Sequence, residues 1–358
     1  MTFEARRTKA TQGLGSEADA LLVTTPANVR YLTGFTGSNG QALLARESVF
    51  FTDGRYKEQS QTQVPDLARR IYSASLKFAD VLAKDVADQG ITRLGVEAAH
   101  MTLATKERLT KALDGIELVS TNEIVERVRQ VKDASEIEAI RRAQRVAEEA
   151  VLETLTSFTG GTERDLARAI ESAMRTKGAQ GPSFDTIVAS GAHSALPHAE
   201  PREVTIDLDG VLLVDFGARV DGYCSDTTRT YLGPNASGEM RKVHEAVVRA
   251  LEAGCAAVKP GAKCVDVDAA CRQSLERDGY AEYFLHSTGH GVGLEIHEGP
   301  SLAPSSDGVL EPGMLVTIEP GVYLAGVGGV RVEDFLVVTD DGYENVTHMP
   351  RGPELLHA

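Results

Sequence analysis

Short apolar runs alternate with helically spaced apolar positions through the first 130 residues. Apolar positions at helical spacing predict helices at 78–83 and 103–113. The alternation predicts a small α/β domain over residues 1–130. Apolar runs bounded by Gly, Asn, Pro or Asp predict strands at 21–24, 41–45, 49–52, 94–97 and 117–120.

From residue 131 onward the pattern changes to longer amphipathic helices separated by β-rich segments. The segment Ser135-Glu136-Ile137-Glu138 is typical of a capping box and predicts the start of a long helix. This mixture predicts an α+β domain over residues 131–358, and not a doubly wound sheet. Amphipathic spacing predicts helices at about 135–157, 163–177, 238–258 and 264–278.

Composition narrows the classes of function. The chain has 358 residues, of which 42% are hydrophobic, and a formal net charge of −15. The acidic balance disfavours nucleic acid or an anionic membrane surface as a partner. No apolar run approaches the ~20 residues that span a bilayer, and the N-terminal residues lack the apolar core of a signal peptide. We therefore expect a soluble cytoplasmic protein with four reduced cysteines, since none of them forms a CxxC pair.

Two carboxylates fall on one face of a predicted hairpin. Asp221-Gly222 is a strong signal for a two-residue turn. Pairing around this turn places Asp215 opposite Thr228, with Asp215 and Asp226 as diagonal neighbours on the same face. Two carboxylates inside apolar strands would repel at neutral pH, which favours a divalent cation between them. Two solvated aspartates on an edge hairpin are the alternative interpretation.

A second predicted hairpin supplies two more carboxylates. Glu319 ends an apolar strand directly before Pro320. Glu333 and Arg331 share one face of the alternating strand 330–338. A salt-bridged sheet edge would by itself account for this pair.

Histidines are concentrated between the two hairpins. His286, His290 and His297 lie within twelve residues, and glycines flank His290. Glycine lets the backbone approach a ligand closely. The spacing is not GxGxxG and no Walker lysine follows, which disfavours a phosphate loop. Another histidine, His198, falls in a predicted loop, and this density of histidines beside four placed carboxylates indicates a functional site.

From about residue 135 to 350 these motifs resemble the pita-bread metallopeptidases, which include methionine aminopeptidase, Xaa-Pro aminopeptidase and prolidase. The segments 28–35 and 52–56 resemble the creatinase-type N-terminal domain of the proline-specific branch. The resemblance implies an α+β pita-bread catalytic domain preceded by a smaller α/β creatinase-type domain. The metal ligands of the family, in chain order, match Asp215, Asp226, His290, Glu319 and Glu333.

The resemblance implies a dinuclear metal site that hydrolyses the Xaa-Pro bond of small proline-containing peptides. Asp226 and Glu333 would bridge two divalent ions, Asp215 would hold one of them, and His290 and Glu319 would complete the other. We expect manganese, with Co, Zn or Fe as alternatives, because oxygen-rich donors suit hard or borderline ions. A hydroxide between the ions would attack the carbonyl, and Glu319 would shuttle the proton.

The same resemblance implies roles for residues around the metals. His198 would face the developing oxyanion, and His297 would contact the peptide, so both are expected to be catalytic. His286 would shape the pocket for the prolyl ring, and Arg331 would orient Glu333 or Tyr323. A homodimer is also expected. The expected substrate-binding residues are His286, Tyr323 and Arg331.

Two proline-specific activities fit these motifs. An aminopeptidase P-like enzyme removes the residue before proline from longer peptides, whereas a prolidase cleaves only Xaa-Pro dipeptides. Segment 53–56 resembles small bacterial aminopeptidase P-like sequences, so that activity is favoured and prolidase is the alternative. The N-terminal domain disfavours methionine aminopeptidase. The complete ligand set disfavours a metal-free creatinase-like hydrolase and a non-catalytic binding protein.

Overall fold

The computed structural model describes residues 1–354, which divide into two compact units, Met1–Arg129 and a second from Gln130 onward. The helices of the first unit are α1 (Phe3–Leu14), α2 (Pro26–Thr33), α3 (Lys57–Gln63), α4 (Phe78–Asp88) and α5 (Leu103–Ala112), and α6 (Ile124–Gln130) crosses the division. Its strands are β1 (Ala20–Val23), β2 (Gly40–Leu44), β3 (Val49–Asp53), β4 (Ala68–Tyr72), β5 (Arg93–Glu97) and β6 (Glu117–Thr121).

The six strands of the first unit form one mixed sheet in the order β4-β3-β2-β1-β5-β6. Strand β1 pairs antiparallel with β2 and parallel with β5. Apolar side chains such as Leu22, Phe51 and Leu94 are wholly buried and form its core. The sequence did not predict β4, an edge strand that carries Arg69 and Arg70 and therefore lacks an apolar run.

The second unit holds four long helices and thirteen short strands within the described residues. The helices are α7 (Ala134–Ser157), α8 (Glu163–Thr176), α9 (Gly238–Ala257) and α10 (Cys264–Arg277). The strands are β7 (Gly181–Pro182), β8 (Ile187–Ser190), β9 (Val211–Phe216), β10 (Ala218–Val220), β11 (Tyr223–Cys224), β12 (Thr227–Leu232), β13 (Gly289–Gly291), β14 (Glu298–Leu302), β15 (Leu315–Ile318), β16 (Gly321–Leu324), β17 (Gly328–Arg331), β18 (Asp334–Val338) and β19 (Tyr343–Asn345).

Two antiparallel sheets form the centre of the second unit. One has the order β12-β9-β8, and α7 and α8 pack against it around Leu166 and Phe216. The other has the order β14-β13-β15-β18-β19, and α9 and α10 pack against it around Val247 and Leu336. Helices over antiparallel strands confirm the predicted α+β class. Within residues 1–354, no helix has the length and apolar character needed to cross a membrane.

The start of α7 differs from the sequence-based prediction. Asp133, and not Ser135, is the N-cap residue, and its carboxylate accepts hydrogen bonds from the backbone N–H groups of Ser135 and Glu136. The carboxylate of Glu136 in turn accepts a hydrogen bond from the backbone N–H of Asp133, which completes a capping box. Aspartate is as good an N-cap residue as serine, so the capping box begins two residues before the predicted position.

Candidate metal centre

The predicted aspartate hairpin forms with the expected register. Thr228 lies opposite Asp215, and the strands β9 and β12 pair over six residues. Asp221 and Gly222 have φ values of 51° and 84°, as a tight turn of the mirror-image type requires. Asp215 and Asp226 therefore project from the same face, and both side chains are buried.

Strand β13 brings His290 to the same site. A Cβ at Gly289 would lie 1.9 Å from the carbonyl oxygen of Thr317, and one at Gly291 would lie 2.1 Å from that of Gly299. Only glycine on each side of His290 allows this close approach. Glu319 follows β15 directly, and its backbone N–H donates to the carbonyl of Thr288 at 2.8 Å.

Glu333 lies in the connection between β17 and β18. Its Oε2 accepts a hydrogen bond of 2.8 Å from the hydroxyl of Thr228. The same hydroxyl accepts a bond of 3.0 Å from Nε of Arg331. Thr228 thus orients a carboxylate that lies 105 residues away in the sequence.

The five predicted ligands converge on one cavity. Oxygens of Asp215, Asp226 and Glu333 lie within 4.8 Å of one another. Nε2 of His290 lies 3.6 Å from Oδ2 of Asp226 and 3.4 Å from Oε1 of Glu319. The cavity has a volume of about 470 Å³, which suits a small organic ligand.

Three carboxylates of this cluster, those of Asp226, Glu319 and Glu333, resist ionisation when no cation is present. Burial, and then the charges of neighbouring carboxylates, raise the pKa of Asp226 and of Glu333 well above their usual values. Burial raises the pKa of Glu319 to about 7, although Arg331 opposes the shift. Since a bound cation favours the ionised form, the cluster is suited to exchanging protons for metal.

Two further observations fit a divalent metal. Oδ1 of Asp215 and Oε1 of Glu333 are buried and accept no hydrogen bond from the described residues. Burial lowers the pKa of His290, so the ring is neutral, and Nδ1–H donates to the carbonyl of Gly291 at 3.0 Å. The lone pair of Nε2 therefore faces Asp226 and Glu319. Buried oxygens without partners and a correctly oriented imidazole form a donor set for metal.

Arg331 holds side chains of the site in place through hydrogen bonds. It donates to Oδ2 of Asp215 at 2.5 Å and to the hydroxyl of Tyr323 at 2.8 Å. That hydroxyl lies 2.9 Å from Nε2 of His286. Tyr323 is not among the residues that line the cavity, and its expected contact with substrate stays a prediction. Arg331 is also linked to Glu333 through Thr228, whose hydroxyl bonds both side chains.

The other predicted histidines border the cavity. The rings of His290 and His297 meet edge to face, with centroids 4.4 Å apart. His286 and His198 also line the cavity, and burial lowers the pKa of His286 to about 4. All four rings thus lie beside the space where a substrate would bind.

Sequence reasoning missed the apolar wall and the polar support of the cavity. The wall is formed by Phe184, Ile187 and Ile296. The support includes Thr228, which belongs to a strand that is buried throughout although it begins Thr-Thr-Arg-Thr. Polar residues at successive positions of a buried strand need partners, so this run was a usable signal.

Two family models match the chain. The Creatinase/Prolidase N-terminal domain matches residues 6–131, and Metallopeptidase family M24 matches residues 138–340. The second match spans more than half of the chain, which therefore belongs to Metallopeptidase family M24. Membership identifies the chain as a metallopeptidase and implies the use of divalent metal.

Proteins with proline-specific names are similar over nearly the whole length. The solved structure of the Xaa-Pro dipeptidase from Bacillus anthracis is 38% identical, covers 100% of both chains and has a TM-score of 0.95. That of the X-Pro aminopeptidase from Thermotoga maritima is 35% identical, covers 96% of this chain and 98% of its own, and has a TM-score of 0.88. The Xaa-Pro dipeptidase of Pyrococcus furiosus is 32% identical, over 93% of this chain and 94% of its own length. The resemblance to the proline-specific branch and the predicted fold class are confirmed.

Proposed function

We propose that the chain is an Xaa-Pro dipeptidase whose divalent metal ions are held by the five-residue cluster. The observation that carries this proposal is a buried group of four carboxylates and a neutral imidazole, with two carboxylate oxygens that lack partners, open to a cavity of small-peptide size. The proposed ligands are Asp215, Asp226, His290, Glu319 and Glu333.

Similarity favours dipeptides over longer peptides. The relatives from Bacillus anthracis and Pyrococcus furiosus are both named Xaa-Pro dipeptidases. We therefore give the dipeptidase precedence over the aminopeptidase P-like activity that the sequence motifs favoured. The X-Pro aminopeptidase from Thermotoga maritima keeps that activity as the second candidate.

Bound divalent ions would supply a nucleophile at neutral pH and polarise the scissile carbonyl. Glu319 is the proposed proton carrier, because its carboxylate borders the cavity and lies 3.4 Å from Nε2 of the proposed ligand His290. The nitrogen released from an Xaa-Pro bond belongs to the proline ring and leaves as a secondary amine. It must gain a proton to leave, and Glu319 would donate the proton that it took from the attacking water.

The histidines would act on the peptide itself. We assign His198 to the carbonyl oxygen, where negative charge develops in the transition state. His297, which packs edge to face on His290, would hold the peptide beside the metal ligands. The apolar wall of Phe184, Ile187 and Ile296 would accept the substrate's apolar surface.

A peptide panel tests this proposal. Hydrolysis of Gly-Pro and of Arg-Pro-Pro should be followed with purified protein after chelation, and again after adding Mn(II) or Co(II). We expect Mn(II)-dependent cleavage of Gly-Pro only, with about two ions per chain by metal analysis. Cleavage of Arg-Pro-Pro with little cleavage of Gly-Pro would support the second candidate. Full activity after exhaustive chelation would rule out both.

A further inference from the structure

The position of His198 depends on the backbone of the segment that carries it. We call residues 191–201 the His198 loop. The His198 side chain makes no hydrogen bond to any described residue, so nothing attached to the ring holds it in place. The preceding carbonyl, that of Pro197, accepts a bond of 3.1 Å from Arg331, which also holds Asp215. Inside the loop, the hydroxyl of Ser194 also accepts a bond of 2.8 Å from the backbone N–H of Gly329. His198 therefore faces the cavity reproducibly only if the backbone of the loop is fixed.

One buried carboxylate holds both ends of this loop. Glu163, the first residue of α8, accepts bonds of 2.8 Å from the backbone N–H and the hydroxyl of Ser190, directly before the loop. It also accepts bonds of 3.0 Å from the backbone N–H and Nε of Arg202, directly after the loop, and one of 2.9 Å from Nη2. Inside the loop, Nδ1 of His193 lies 3.1 Å from the same carboxylate.

The Glu163 carboxylate is arranged to remain charged. Burial alone would raise its pKa, but the hydrogen bonds from Arg202 and Ser190 outweigh burial and lower the pKa to about 2. Its place at the N-terminus of α8 adds the favourable field of the helix dipole. Six donor groups on three residues thus converge on one wholly buried anion.

We propose that Glu163 is a positioning residue that holds His198 at the cavity by fixing both ends of the His198 loop. This inference rests on the proposed function, because His198 is assigned there to the carbonyl oxygen of the peptide. Glu163 is not among the residues that line the cavity, and no sequence motif predicted a role for it.

The test is a double-mutant cycle with Glu163→Gln and His198→Ala. Glu163→Gln keeps the shape of the side chain but removes the charge and replaces one acceptor oxygen with a donor. We expect it to lower kcat on Gly-Pro by up to about 10²-fold, since small misplacements of a reacting group can cost that much. We expect metal content and KM to change little. In the His198→Ala background, Glu163→Gln should have an effect of less than about twofold.

A matched control lies on the same helix. Asp165 lies two residues from Glu163 along the chain. Asp165→Asn alters the capping box of α8 through the contact of Asp165 with Thr162, and it should leave kcat within about twofold. If Glu163→Gln does not fold, Arg202→Gln is used in its place. The Arg202 side chain is 43% exposed, so replacing it does not bury a new polar group. Equal effects of Glu163→Gln with and without His198 would overturn the proposal.

A second measurement separates this proposal from the proposed function. Limited proteolysis and amide hydrogen exchange report on the His198 loop without any turnover. Faster cleavage and exchange within residues 191–201 in Glu163→Gln, but not in Asp165→Asn, would support the anchoring role even if the wild type proved inactive on Gly-Pro. If the wild type is active on Gly-Pro and Glu163→Gln leaves the protection of residues 191–201 unchanged, the anchoring role is overturned and the proposed function is not.

Discussion

Each of the two units contains a buried glutamate, and the two differ in how their oxygens are used. Glu97 of the first unit is 6% exposed and accepts four hydrogen bonds, two from Thr24, one from Thr25 and one from Asn28. Glu333 of the second unit is 1% exposed, and among residues 1–354 only one of its oxygens accepts a hydrogen bond, from Thr228. The first carboxylate has its partners within the chain, whereas the second has one oxygen without any.

The number of hydrogen bonds that each carboxylate accepts distinguishes a structural anion from one that is available to bind a ligand. A buried charge normally requires several hydrogen bonds, because desolvation is otherwise too costly. Glu97 meets this requirement and joins β1, β5 and α2 of the first unit. Glu333 does not, and Oδ1 of Asp215 likewise accepts no hydrogen bond from the described residues, although its Oδ2 bonds Arg331. The raised pKa of Glu333 is expected where a cation completes the site.

The same isosteric change should therefore have opposite effects in the two regions. Glu319→Gln removes the proposed proton carrier and a metal ligand, and we expect kcat on Gly-Pro to fall by about 10²–10⁴-fold. The midpoint of thermal unfolding of the metal-free protein should not fall, because the substitution removes a charge from a repulsive cluster. Turnover and thermal unfolding measured on one preparation would check both statements. A variant that is unstable yet active would contradict them.

Asp226→Asn tests the cluster as a metal site. Loss of residues that merely support metal ligands costs 10–100-fold, so loss of a bridging ligand should cost at least about 10²-fold in activity. Metal content should fall together with activity. The control is Asp165→Asn, which makes the same chemical change at an exposed helix start and should keep both. Full metal content in Asp226→Asn would remove this residue from the ligand set.

Much of this site followed from local sequence signals, and the rest depends on contacts between distant segments. The Asp221-Gly222 turn fixed the register that brings Asp215 and Asp226 to one face, and glycines marked the approach at His290. No local pattern indicated that Thr228 would orient Glu333, or that Glu163 would bind Ser190 and Arg202. Those pairs are separated by 105, 27 and 39 residues. Hydrophobic periodicity predicts which face of a helix or strand is buried. Tertiary packing determines which other element that face contacts.

Short strands were also difficult to predict for a physical reason. Strands β7 and β13 contain two and three residues, so they show no period of two. They form because neighbouring strands supply their hydrogen bonds. The long helices α7 to α10 were predicted to within a residue or two, since each presents several turns of apolar spacing.

Arg331→Lys tests the support of Asp215. Lysine retains the charge but cannot bond Asp215, Tyr323 and Thr228 together, so the exchange is not conservative at this position. We expect kcat/KM to fall by about 10–100-fold, with reduced metal affinity. Titration with Mn(II) would measure that affinity. Unchanged affinity together with a raised KM would instead indicate that Arg331 contacts the substrate directly.

Glu97→Gln is the counterpart of Glu319→Gln in the first unit. The amide cannot accept all four hydrogen bonds, and we expect the free energy of unfolding to fall by about 1–3 kcal/mol. Metal content should not change, and kcat should remain within about twofold at temperatures where the protein stays folded. Chemical denaturation with and without Mn(II) would measure the loss. If Glu97→Gln were as stable as the wild type, the hydrogen-bonded Glu97 would have no structural role, and it would not differ from Glu333 in the way proposed.

His244 shows that a buried polar atom without a hydrogen-bond partner also occurs at a residue that is not a proposed metal ligand. Its Nε2 accepts and donates no hydrogen bond among the described residues, and burial lowers the pKa of the ring to about 4. The unfolded chain binds a proton near pH 6.5, so between about pH 6.5 and 4 it binds more protons than the folded protein. Stability should therefore fall as the pH is lowered through this window, by up to about 1.4 kcal/mol per pH unit from this group.

His244→Asn should reduce that pH dependence and leave kcat on Gly-Pro within about twofold. Denaturation at several pH values and turnover of Gly-Pro would measure both. If His244→Asn abolished metal binding, its unpaired atom would belong to the functional site. If it changed only the acid stability, an isolated unpaired atom would be a cost of packing, and a cluster of unpaired oxygens facing one cavity would be the feature that marks a metal site.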